Sequence, residues 1–187
     1  MAKFSVILDA CVLYPAPIRD LMMRLSLTDL FNARWTDQIH EEWISALVRN
    51  GYDRSYLEKT RELMDLHVRD GKVHDFEDLI ESITLPDPDD RHVMAAAIKS
   101  NADAIVTFNL KDFPEDVLEK YNIEVIHPDD FILYQIELSV AKVCQALKDQ
   151  RQALKNPAIN VKEFLAILQK QQLPKTVLEL KEISELL

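Results

Sequence analysis

The chain of 187 residues is 48% hydrophobic and carries 22 Lys/Arg against 32 Asp/Glu, a net charge of −10. That apolar share supplies a core and excludes wholesale disorder, and no apolar run nears the ~20 residues of a membrane span. With Gly51 and Gly71 as the only glycines, neither a G-x-G-x-x-G nor a Walker A phosphate loop can be written, and the acidic balance excludes long-range attraction of nucleic acid.

In chain order, "KFSVIL" (3–8) is a short apolar run rich in β-branched residues and reads as a buried strand ending at Asp9. "MAKFSVILDACVLYP" turns acidic too soon for a secretory signal. "PIRDLMMRLSLTDLF" places Ile18, Leu21, Met22 and Leu25 at helical spacing. "TDQIHEEWISALVRN" repeats the period with Ile39, Trp43, Ala46 and Leu47 and stops before Gly51. "RSYLEKTRELMDLHV" is a third helix, and "SITLP" (82–86) is a short strand or an extended link. A helix then follows "LPDPDD" and runs to about Asn101. "DAIVTFN" and "IEVIHP" read as strands, and "PDDFILYQIELSVAKVCQALKDQ" starts another helix. Strands separated by helices imply parallel pairing. The expected fold is α/β, a three-layer α/β/α sandwich around a small parallel sheet, with a C-terminal helical extension.

The tail differs in charge. From residue 139 onward 8 Lys/Arg face 5 Asp/Glu, a net +3, which leaves 14 against 27, a net −13, in the first 138 residues. Asn160 with Glu163, and Thr176 with Glu179, each have the spacing of a capping box, so two short amphipathic helices are expected around Pro174. The division expected is residues 1–138 and 139–187. Cys11 and Cys144 form no C-x-x-C, which fits a reduced, cytoplasmic protein.

Four places offer carboxylates. Asp9 follows a buried strand, at the strand end where open parallel sheets bind ligands; a turn or helix cap is the plainer role. On the "QIHEEW" helix, at about 100° per residue from Ile39, the apolar stripe centres near about 40°. Glu41 falls at about 200°, facing solvent, and Glu42 at about 300°, flanking the stripe. Glu42 is therefore the candidate, against a plain salt bridge. In "LPDPDDRHVMAAAI", Asp87 is a good N-cap, Pro88 suits the first helical position, and Asp90 can bond back to the cap. Asp90 also heads the buried stripe of Val93, Met94, Ala97 and Ile98, where an acid needs a partner, while Asp89 points toward solvent. Asn109 and Asp112 lie in the turn after the Val106–Thr107 strand end, and an ordinary turn explains both equally well.

Two of these places follow strand ends and two lie on helices able to face the same crevice. Converging carboxylates without a cationic residue among them call for a bound cation, and all-oxygen ligands select Mg²⁺ or Mn²⁺. His40, His67, His74, His92 and His127 have no zinc spacing. A carboxylate-held ion without a phosphate loop suggests metal-assisted phosphodiester hydrolysis.

"VILDACVLYPAPIRDLMMRL", "IHEEWISAL", "LPDPDDRHVMAAAI" and "ADAIVTFNLKDFP", in this order, resemble the PIN-domain family, and within it bacterial toxins of the VapC type. The resemblance covers roughly residues 3 to 133. It implies a Mg²⁺- or Mn²⁺-dependent endoribonuclease with acids at Asp9, Glu42, Asp90 and Asp112. It implies support of the site by Thr107, and Asn109 standing where many members carry Asp. It also implies an RNA substrate, an antitoxin partner and a homodimer. Arg91 or Lys111 is the candidate for contact with the RNA backbone. Two other classes compete. A non-catalytic PIN-like binding module acting through protein partners is suggested by Asn109 in place of an acid. A phosphatase or receiver-like domain would use Asp9, Thr107 and Lys111, but Cys11 stands where the phosphatase pattern needs a second acid.

Overall fold

The computed structural model describes residues 3–187. In chain order the elements are β1 (Ser5–Leu8), α1 (Ala10–Leu13), α2 (Ala16–Ser26), β2 (Asn32–Arg34), α3 (Asp37–Arg49), α4 (Arg54–His67) and α5 (Glu77–Ile80). A 3₁₀ turn over Pro88–Asp90 leads into α6 (Arg91–Lys99). Then come β3 (Ala104–Val106), a 3₁₀ turn over Leu110–Asp112, α7 (Glu115–Leu118) and β4 (Glu124–Ile126). The C-terminal helices are α8 (Pro128–Leu138), α9 (Val140–Ala153), α10 (Val161–Lys170) and α11 (Pro174–Glu182).

Among the described residues the strands form one parallel sheet in the order β2-β1-β3-β4. Every residue of β1 is buried, as expected of a central parallel strand covered on both faces. Right-handed crossovers put the β1–β2 connection on one face and the β2–β3 and β3–β4 connections on the other, which gives three layers. The register sets Leu8 opposite Val106, so the residues that follow, Asp9 and Thr107, emerge side by side at the carboxyl edge.

Local sequence explains the helix ends. Thr36 accepts from Ile39 N at 3.0 Å to start α3, and the Asp53 side chain starts α4. Asn101 and Asn122 take positive φ (49° and 53°), closing α6 and the turn before β4. "SITLP" is an extended link, not a strand. Strand β2, Asn-Ala-Arg, has one buried small residue between two polar ones, so it offers no apolar run to read in sequence.

A buried polar network fixes α3. Trp43 Nε1 donates to His40 Nδ1 at 3.1 Å, and Asp65 Oδ1 lies 3.2 Å from His40 Nε2 while accepting from Trp35 Nε1 at 2.7 Å. The His40 ring is fully buried, and burial lowers its pKa despite the Asp65 charge. Arg19, also buried, donates from one guanidinium nitrogen to Leu13 O at 2.6 Å and Tyr14 O at 3.1 Å, and lies 4.5 Å over the Trp43 ring. It thereby joins the end of α1 to α3.

The tail departs from expectation in two ways. The helix after Pro128 is broken at Ser139, whose extended backbone ends α8 and whose hydroxyl caps α9. The expected Asn160–Glu163 capping box is formed, but the Thr176–Glu179 one is not. Helix α11 instead starts at Pro174, and its free N–H groups are taken by Asp129 of α8. Lys175 N donates to Oδ2 at 2.9 Å and Thr176 N to Oδ1 at 2.8 Å. A carboxylate from another helix does the capping that a local side chain was expected to do. Helix α9 lies along α2, where Gln150 Nε2 donates to Pro17 O at 2.7 Å.

Candidate active site

Asp9 leaves the end of β1 with its backbone N still bonded to Val106 O, at 3.1 Å. It is 5% exposed, and its side chain is held on both oxygens. Oδ1 accepts from Ala10 N at 2.6 Å, capping α1. Oδ2 accepts from Thr107 Oγ1 at 2.7 Å and from the Cys11 thiol at 3.0 Å. The cap reading of Asp9 was therefore sound, and it leaves Oδ2 facing β3. Thr107, itself fully buried, accepts from Asn109 N at 3.0 Å, which links the strand end to the following turn. Burial, and then the Asp9 charge, pushes the Cys11 thiol up to about 12, so it stays a protonated donor.

Asp90 ends the 3₁₀ turn that precedes α6 and is half-buried. Asp87 caps that turn, accepting from Asp89 N at 2.9 Å, and Pro88 follows it. Asp90 makes no capping bond of its own, contrary to the expected back-bond to the cap. Its carboxyl is pushed up to about 7, first by burial and then by the charges of Asp9, Asp87 and Asp112, with His92 opposing. Asp90 is thus within electrostatic reach of both Asp9, at the carboxyl end of β1, and Asp112, in the turn after β3.

Glu42 enters differently. Glu41 faces solvent, paired with Arg54 at 2.9 Å and bonded by Ser45, and its carboxyl is held down to about 2. Glu42 leans inward, and its Oε1 lies 2.8 Å from His92 Nε2. Asn109 is exposed, and its side chain makes no hydrogen bond among the described residues, while its backbone N donates to Thr107 Oγ1. Asp89 is exposed, as expected. Sequence reasoning passed over His92 and Cys11. His92 was discounted for lacking zinc spacing; its position two residues after Asp90 on an apolar helix face was the available signal.

Among the described residues, no three His, Cys, Asp or Glu side chains are gathered closely enough to hold a metal ion as they stand. The donor chemistry nevertheless fits a hard cation. The converging groups are carboxylates, no Lys or Arg among the described residues is paired with Asp9, Asp90 or Asp112, and Asp90 gives up its proton only near neutral pH. A divalent cation would relieve that mutual repulsion, and the carboxylates would have to draw in around it.

Residues 5–111, more than half of the chain, match the family model described as "PIN domain". The chain belongs to the PIN-domain family. Asp9, Glu42, Asp90 and Asn109 of this PIN domain lie inside the matched span, and Asp112 lies one residue beyond it. Residues 128–182 match a second model, "VapC50 C-terminal domain", which takes in α8 to α11. A Mycobacterium tuberculosis protein named "Putative ribonuclease VapC50" is 57% identical over 49 residues, 26% of this chain and 29% of that relative. The match thus spans less than a third of the relative's length. No solved structure matches the chain.

Proposed function

We propose that this PIN domain is a metal-dependent endoribonuclease acting as the toxin of a toxin–antitoxin pair. The observation that carries the proposal is Asp90, whose carboxyl is pushed up to about 7 beside Asp9, Asp87 and Asp112. A group in that position favours a divalent cation as partner, and oxygen donors favour Mg²⁺ or Mn²⁺. Asp9, Glu42 and Asp90 would hold it, with Asp112 or Asn109 completing the set. When bound, such an ion supplies a water of lowered pKa and neutralises charge developing on the phosphate.

The chain's own residues prepare the site. Thr107 and Cys11 hold Asp9 Oδ2, and Ala10 N holds Oδ1, so this carboxylate is oriented before anything binds. Asp90, pushed up to about 7, would be held ionised by a bound divalent cation. Lys111, exposed beside Asp112, or Arg91, whose Nε donates to Pro88 O at 3.0 Å, would meet the RNA backbone.

Residues 1–138 would form the nuclease domain and residues 139–187 an extension. An antitoxin partner, a homodimer and a cytoplasmic setting belong to the same proposal. The name of the mycobacterial relative supports the ribonuclease reading. The binding-module alternative leans on Asn109 standing where an acid is expected, and the grouping of Asp90 with Asp9 and Asp112 makes it the weaker reading. The test is cleavage of total cellular RNA with Mg²⁺ or with EDTA. Cleavage is expected with Mg²⁺ only, and is expected to be abolished in folded Asp9→Asn and Asp90→Asn. Full activity in either variant overturns the assignment.

A further inference from the structure

His92 lies in the first turn of α6 and is 3% exposed, followed by Val93, Met94, Ala95, Ala96 and Ala97, all buried. Its Nε2 is 2.8 Å from Glu42 Oε1, on α3. The contact is an ion-pair distance, and because a carboxylate only accepts, a hydrogen shared between the two must come from Nε2. His92 Nδ1 is buried with no hydrogen-bond partner among the described residues. Burying an imidazole with one nitrogen unpaired costs stability, and a leucine in its place would avoid that cost. The side chain is therefore a poor choice for packing alone. Glu42 Oε1 also has Gln38 Nε2 at the 3.5 Å limit, while Glu42 Oε2 makes no hydrogen bond among the described residues.

We infer that His92 is a positioning residue for Glu42: its Nε2, 2.8 Å away on α6, restrains one carboxylate oxygen and leaves the other free as a single-oxygen donor to a divalent cation. The inference rests on the reading of the site as metal-dependent. It makes α6 the source of both a candidate ligand, Asp90 at its head, and the group that aims a second ligand carried by α3. Outer groups that orient ligands in this way are worth about 10- to 100-fold in metal affinity.

Mn²⁺ binding to the full chain, followed by calorimetry, tests it. His92→Leu is expected to weaken Mn²⁺ binding about 10- to 100-fold while its thermal melt in EDTA is unchanged or raised. His92→Gln, whose amide donates from a similar position, is expected to restore most of the affinity. In RNA cleavage, His92→Leu should need more Mn²⁺ for half-maximal rate yet approach the unmutated kcat at saturation, whereas Glu42→Gln should not. Equal loss in the Leu and Gln variants with unchanged melts, or no loss in His92→Leu, overturns the inference. In the unmutated chain, long-range ¹H–¹⁵N spectra should show the Nε2–H tautomer of His92; an Nδ1–H tautomer overturns it without any variant. If the unmutated chain neither binds Mn²⁺ nor cleaves RNA, the nuclease reading falls and this inference with it. If it does both and His92→Leu matches it, only this inference falls.

Discussion

Asp90 titrates near pH 7 rather than near 3.8 because burial and the carboxylates of Asp9, Asp87 and Asp112 oppose its ionisation. Between those two values the folded chain holds the proton more tightly than the unfolded chain. Without a divalent ion, stability contributed by this group is therefore present below 3.8 and is lost as pH rises toward about 7. Discounted for a half-buried group, the cost above pH 7 is ~1–2 kcal/mol. Asp90→Asn should thus be more stable than the unmutated chain by ~1–2 kcal/mol at pH 7.5 in EDTA and equal to it near pH 3.5, as read by urea unfolding. Added Mn²⁺ should raise the melting temperature of the unmutated chain and not of the variant. The sequence singled out Asp90 because it stands at the head of an apolar helix stripe, and that placement holds. What it concealed was the partner of Glu42. His92 is 50 residues away in the chain, and only the fold brings the pair to 2.8 Å.

Helices whose starts carry their own capping side chains were legible; helices capped from elsewhere were not. Thr36, Asp53 and Asn160 each bond the N–H three residues on, and each marks its helix in the sequence. For α11 the local candidate, Thr176, is buried and its hydroxyl donates back to Asp129 O at 3.1 Å, and the cap position falls three residues earlier, at Leu173. The β2 strand and the break at Ser139 were likewise missed, since neither Asn-Ala-Arg, without an apolar run, nor one serine makes a pattern. Asp129 is 2% exposed and holds two backbone N–H groups of α11. Asp129→Ala should cost ~2–3 kcal/mol, leaving those donors buried without a partner. Urea unfolding measures the loss, and amide exchange should rise at Lys175 and Thr176 before it rises in β1 or β3.

At the scale of the whole molecule, the C-terminal helices are part of the core. Val143, Leu147, Phe164, Leu168, Leu173 and Leu180 are each at most 3% exposed, and α9 covers α2 while α11 covers α8. A chain cut back to Leu138 is expected to expose those surfaces and to aggregate or melt at markedly lower temperature, which light scattering and circular dichroism would report; a folded, monomeric, active fragment would contradict this. The parallel order β2-β1-β3-β4 was foreseeable from alternating apolar runs, but the seating of the tail on α2 and α8 was not, because amphipathic helices do not say which surface they will cover. The Asp129 bond to α11 has one more consequence. It ties together two helices 46 positions apart and closes a loop containing α9 and α10, with an exposed connector, Leu154–Ala158, between them. A protease that severs this connector should leave two pieces that stay associated and elute together, so the molecule lends itself to reconstitution from separately made halves joined only by contact.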